Sequence, residues 1–146
     1  MIKKHRTITI PDGVIKISES IKMENYKTNT PSAFQKHYDL RSFDEVAEQI
    51  ADIAGVSSEK IDWVFFSVSQ GAEPHIDDLP EGKFTDTTFV VPIILPTGES
   101  VITAEDDYAV VELNHVYEFD HTKVHSMTLE DTESGCVVIM AAIKNK

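Results

Sequence analysis

Cysteine is almost absent from this chain, which has only Cys136. An intramolecular disulfide is therefore excluded, as is a zinc or iron–sulfur site built from several cysteines. Basic residues are also scarce. Thirteen lysines and arginines stand against 25 aspartates and glutamates, a net charge of −12, and the only arginines are Arg6 and Arg41. A surface that grips phosphate backbones carries the opposite balance, so direct nucleic-acid binding is not expected, and charge favours a basic or neutral partner. No apolar run reaches the roughly 18–20 residues of a membrane helix, and the first residues, Met1-Ile2-Lys3-Lys4-His5-Arg6, lack the apolar stretch of a secretory signal. These absences lead to the expectation of a cytoplasmic protein with no membrane partner. Repeats, low-complexity tracts and Pro/Gly/Ser-rich linkers are missing too, so residues 1–146 read as one domain.

What is present divides near residue 60. In the N-terminal part, Thr7-Ile8-Thr9-Ile10 and Val14-Ile15-Lys16-Ile17 flank Pro11-Asp12-Gly13, a pattern that predicts a hairpin. The polar stretch Lys22–Thr30 reads as a loop, and Thr30-Pro31 as the cap of a short helix over Pro31–Tyr38. A clearer helix follows. Ser42 with Glu45 forms a capping box, Phe43, Val46, Ala47, Ile50, Ala51 and Ile53-Ala54 make one apolar stripe, and Gly55 stops it.

Beyond residue 60 the pattern becomes short β-branched or aromatic runs: Ile61–Ser69, Thr87–Leu95, Ser100–Thr103, Ala109–Leu113, Val116–Phe119, Val124–Leu129 and Cys136–Ile143. Turn residues separate them, notably Pro80-Glu81-Gly82, Pro96-Thr97-Gly98 and Glu133-Ser134-Gly135. Strands at this spacing predict a mainly β, jelly-roll-like sandwich over 61–146, about eight strands at the usual length. One or two helices from residues 1–60 would pack on its outside.

Few side chains suggest chemistry. Cys136 opens an apolar strand and reads as core, no Gly-x-Ser-x-Gly elbow or phosphate-cradling glycine loop exists, and acidic pairs such as Asp77-Asp78 lie beside turns. His75-Ile76-Asp77 is more informative through its context than through its pattern. Six histidines among this many acids yield about one His-x-acid by chance, and His37-Tyr38-Asp39 is a second instance. On a strand, positions i and i+2 share a face, so His75 and Asp77 can reach one ion; on a helix, as expected for His37 and Asp39, they diverge. A third ligand has to come from elsewhere, and Val116–Met127 offers His121 and His125. Two histidines and one carboxylate with the remaining positions open form the facial triad of non-haem Fe(II) oxygenases.

At this point the chain resembles the Fe(II)/2-oxoglutarate-dependent dioxygenases. The resemblance rests on His75-Ile76-Asp77 after the strand Trp63–Ser69, the strand and turn Phe89–Gly98, Tyr117-Glu118-Phe119-Asp120 followed by His125-Ser126-Met127, and the final strand Cys136–Ile143. In layout it is most like the aspartyl/asparaginyl β-hydroxylase and prolyl-hydroxylase branches. It implies a double-stranded β-helix (cupin-like) core, with His75, Asp77 and His125 as metal ligands and His121 as runner-up. It also implies Fe(II), 2-oxoglutarate and dioxygen as cofactor and cosubstrates, and hydroxylation of a C–H bond on a peptidyl side chain or small molecule.

The chain departs from that family in one respect. The cation that usually anchors the distal carboxylate of 2-oxoglutarate is not evident, since residues 133–138 and 87–91 hold no lysine or arginine. Substitutes are Lys83, Lys123, Lys144 or Arg41, or hydroxyls such as Ser67, Ser69, Thr88 and Ser126; Lys83, Ser67 and Thr88 are the cosubstrate-binding candidates. The alternatives are a non-catalytic β-sandwich binding module and a cupin-like metal protein that does not use 2-oxoglutarate.

Overall fold

A computed structural model of the chain describes residues 1–27, 34–37, 44–69, 71–77, 79–131 and 135–145. Among the described residues, eight strands follow residue 60: β3 (Ile61–Ser69), β4 (Ala72–His75), β5 (Phe84–Ile94), β6 (Ser100–Ala104), β7 (Asp107–Val110), β8 (His115–Asp120), β9 (His125–Leu129) and β10 (Cys136–Lys144). They divide evenly between two antiparallel sheets. One has the order β1-β8-β5-β10-β3-β2, with β1 (Lys3–Thr7) and β2 (Phe34–His37) added at its edges, and the other β4-β9-β6-β7. This is the expected mainly β jelly roll, a double-stranded β-helix.

The larger sheet is covered on both faces, which is why β5 and β10 read as nearly unbroken apolar runs. Phe89, Val91 and Ile93 of β5, Val116 of β8, and Val137, Ile139 and Ala141 of β10 face the helices α1 (Asp12–Lys27) and α2 (Asp44–Ala54). They pack there against Val14, Ile21, Val46 and Ile50. The alternate residues Val90, Tyr117, Phe119, Cys136 and Val138 face the smaller sheet and meet Ile102, Ala104 and Leu129. Alternation along each strand thus builds two cores from one sheet.

Helix α2 bears out the stripe, with Val46, Ala47, Ile50 and Ala51 buried. It ends in a Schellman motif: Val56 N–H donates to Ala51 O at 3.1 Å and Gly55 N–H to Asp52 O at 3.3 Å, with Gly55 at φ +72°. Its predicted cap at Ser42 lies outside the described residues.

The N-terminal expectations need correction. Thr7–Ile10 and Val14–Ile17 are not the arms of a hairpin: the strand is Lys3–Thr7 and pairs with β8, while Val14–Ile17 and Lys22–Lys27, the latter expected as loop, belong to α1. Four residues cannot separate a period of 2 from one of 3.6, and only the longer window shows Val14, Ser18 and Ile21 on one buried face. The short helix over Pro31–Tyr38 is also wrong, because Phe34–His37 is strand β2, paired with Val68–Phe65 of β3. The open edge of β3 supplies backbone partners that local sequence cannot anticipate. Residues 31–33 and 38 lie outside the described residues. Among those described, no helix is long and apolar enough to cross a membrane.

Candidate metal centre

Strands β4 and β9 are neighbours in the smaller sheet, and their register sets His75 opposite His125. β4 ends at His75, and Asp77 lies just beyond it, where its backbone N–H donates to His121 O at 3.2 Å. That bond folds the chain back so that the Asp77 carboxylate meets both imidazoles. One ligand atom from each of His75, Asp77 and His125 falls in a group within 4.8 Å of one another. Asp77 Oδ1 is 3.3 Å from His75 Nε2 and 3.3 Å from His125 Nε2. Cis ligands around an octahedral ion with bonds of about 2.1 Å are separated by roughly 3 Å, so these spacings suit a single ion.

The ring orientations follow from the backbone. His75 Nδ1 lies 2.6 Å from Glu73 O, and His125 Nδ1 lies 2.8 Å from Lys123 O. A carbonyl only accepts, so each Nδ1 carries a proton, and in the neutral imidazole each Nε2 turns a lone pair toward Asp77. Two imidazoles and a carboxylate facing one another are drawn together by a positive charge, that of a shared metal ion or of a proton on Nε2. Among the described residues Asp77 Oδ2 and His125 Nε2 are buried and without a hydrogen-bond partner, as expected of atoms held for such an ion. Burial opposes charging His125, but the Asp77 carboxylate and the Lys123 carbonyl outweigh it and hold its pKa above the usual histidine value.

Exposure differs across the group. The His125 side chain is 5% exposed and that of Asp77 12%, whereas His75 is 43% exposed, so the site opens on the β4 side. On the inner side the Phe119 ring lies 4.8 Å from the His125 ring and walls the centre with apolar surface.

His121 is not part of the group. It is buried, its Nε2–H donates to Thr85 O at 2.8 Å, and its backbone donates to Asp86 O and accepts from Asp77 N. It holds Asp77 in place through the main chain. Of the cosubstrate candidates, Thr88 is fully buried on the inner face of β5, opposite Phe119, and its Oγ1 has no hydrogen-bond partner among the described residues. Ser67 lies on β3 opposite Val138, with its side chain outside the described residues, as is Arg41. Ser126 is adjacent to His125 on β9 and so faces the other way. Lys83 is exposed and, with Lys144, lines a cavity of about 740 Å³ whose walls include none of the three grouped residues. His37 is on β2, and Asp39 lies outside the described residues. The positioning carbonyls of Glu73 and Lys123 escape sequence reasoning, because a main-chain acceptor leaves no mark in residue identity.

No protein-family profile matches the chain, and no curated protein matches it. Solved structures do resemble it. A prolyl-4-hydroxylase from Pseudomonas putida aligns over 99% of this chain and 92% of its own, with a TM-score of 0.60 at 9% identity. A salicylate 1,2-dioxygenase from Pseudoaminobacter salicylatoxidans, a point mutant in complex with gentisate, aligns over 95% of this chain and 35% of its own. Its TM-score is 0.50 at 6% identity. The chain therefore has the double-stranded β-helix fold seen in these cupin-type and hydroxylase oxygenases.

Proposed function

We propose that the chain is a mononuclear Fe(II) oxygenase that hydroxylates a C–H bond of a peptidyl side chain or small molecule. The observation that carries this reading is the pair of Nε2 lone pairs aimed at the Asp77 carboxylate, each fixed by a backbone carbonyl behind its ring. His75, Asp77 and His125 would hold the metal on one face. The bound iron supplies redox chemistry toward dioxygen and open positions for a chelating oxoacid. The protein's own part is positional. The Glu73 and Lys123 carbonyls lock the imidazoles, His121 O fixes Asp77, and Phe119 excludes water from the inner side.

As cosubstrate the reading takes 2-oxoglutarate, whose two ends are met unequally. The open positions of a facial triad suit its chelating end. Its distal carboxylate calls for a cation, yet Lys144 is the only lysine or arginine on strands β3–β10, and it lines the separate cavity. The Thr88 hydroxyl is the buried polar group that the inner face offers in its place. This mismatch favours a second reading, a cupin-type metal protein whose substrate itself chelates the iron.

An anaerobic visible spectrum of the chain, titrated with Fe(II) and then 2-oxoglutarate, separates these readings. A weak charge-transfer band that disappears in His125→Ala supports the first. Stoichiometric Fe(II) without the band supports the second, and no Fe(II) binding overturns both.

A further inference from the structure

The cavity of about 740 Å³ at the start of β5 is lined by Asp62, Gly82, Lys83, Phe84, Lys144 and Asn145. Its volume is that of a small-molecule site. Its charge runs against that of the chain. Lys83 is the only lysine or arginine between residues 61 and 122, and Lys144 is the only one on strands β3–β10. In a protein of net charge −12, these two sparse cations line the same opening, against one carboxylate, Asp62. Neither ammonium takes part in an ion pair among the described residues.

The cavity wall is built in advance. Asn145 N–H donates to Lys83 O at 2.9 Å, and its side-chain amide donates to Gly82 O at 3.0 Å and Phe84 O at 3.1 Å. These three bonds tie the turn before β5 to the end of β10, and so hold the backbones of both lysines in fixed relation. A third ammonium, Lys60 Nζ, donates to Asn145 O at 3.5 Å. Phe84 adds an apolar surface for the body of a ligand.

We infer that this cavity is a binding site, separate from the metal centre, for a small oxyanion, the carboxylate or phosphate group of an organic acid or phosphoester. Two ammonium groups lining one opening raise the local positive potential, and an anion bound there would form charge-assisted hydrogen bonds with them. The chain's overall negative charge disfavours acidic ligands elsewhere on its surface, which makes the lysine-lined cavity the place where one is accepted.

Titration of the full chain with sodium phosphate, and separately with sodium succinate, followed by amide NMR shifts against sodium chloride of matched ionic strength, tests the site. Saturable shifts are expected at Gly82, Lys83, Lys144 and Asn145 with at least one anion. Saturation by phosphate alone assigns a phosphoryl ligand, and by succinate alone a carboxylate. Affinity should fall about tenfold or more, about 1.4 kcal/mol or more, in K83Q/K144Q and stay unchanged in K16Q. Lys83 is exposed, so K83Q alone carries the test if the double variant misfolds. The same titrations on His125→Ala are expected to be unchanged, which separates this site from the metal centre. Shifts that follow ionic strength only, or saturable shifts that survive the lysine substitutions, would overturn the inference.

Discussion

The two faces of the larger sheet are made from the same strands, yet they are finished differently. On the helix side the core is apolar, and Ser18, the one buried polar side chain among the described residues of α1, satisfies itself by donating to Val14 O at 2.9 Å. Elsewhere, buried polar atoms have no hydrogen-bond partner among the described residues: Asp77 Oδ2, Thr88 Oγ1, Ser100 Oγ, His121 Nδ1 and His125 Nε2, two of them on the grouped residues of the metal centre. An unsatisfied buried polar group costs about 1–3 kcal/mol, so a pair of them at the metal centre marks a surface shaped for something other than stability. One face holds the fold together, and the other holds the site.

Substitutions can break this division, and the largest effect belongs to the site. His125→Ala and Asp77→Ala should each abolish stoichiometric Fe(II) binding, measured by anaerobic titration, while circular dichroism stays that of the parent. Retained iron in either variant would remove these residues from the metal centre. On the helix side the reverse is expected. Ile139→Ala deletes a fully buried side chain and should destabilise the fold by about 2–5 kcal/mol in urea unfolding, with metal stoichiometry unchanged.

Thr88→Val sharpens the contrast, because it removes a buried hydroxyl that has no partner among the described residues. Stability should stay level or rise, while 2-oxoglutarate binding to the Fe(II)-loaded protein weakens about tenfold, or about 1.4 kcal/mol. An affinity unchanged by this substitution would show that the hydroxyl does not anchor the cosubstrate. The smallest effect lies away from both faces. Gly55→Ala forces a Cβ into the left-handed conformation at φ +72° that ends α2, and should cost about 1–2 kcal/mol in thermal or urea unfolding without touching iron.

How legible each part is depends on the range of the interaction behind it. Helix α2 can be read because its stripe spans three turns, and β3 because Ile61–Ser69 is a long run of strand-forming residues. Helix α1 reads wrongly because Val14–Ile17 is too short to reveal its period, and β2 because the partner that makes it a strand is β3, far along the chain. At the site, residue types and strand parity narrow the third position to His121 or His125, and the family resemblance points to the second. The fold groups His125 with His75 and Asp77, and ties His121 to Thr85 O instead. Parity cannot separate these two histidines, because they lie four residues apart and so share it.

By itself, the sequence determined the β-rich character of residues 61–146, the place of α2 and its glycine stop, the exclusion of an intramolecular disulfide and of multi-cysteine metal sites, and the pairing of His75 with Asp77 as candidate ligands. These depend on composition and on periodicity over neighbouring residues, which the linear order of side chains records directly. Only the tertiary structure decided that β4 and β9 are neighbours, that Glu73 and Lys123 carbonyls turn both Nε2 lone pairs toward Asp77, and that Lys83 and Lys144 share one cavity. Those features arise from strand register and main-chain hydrogen bonds between distant segments, and backbone groups are identical in every residue that supplies them.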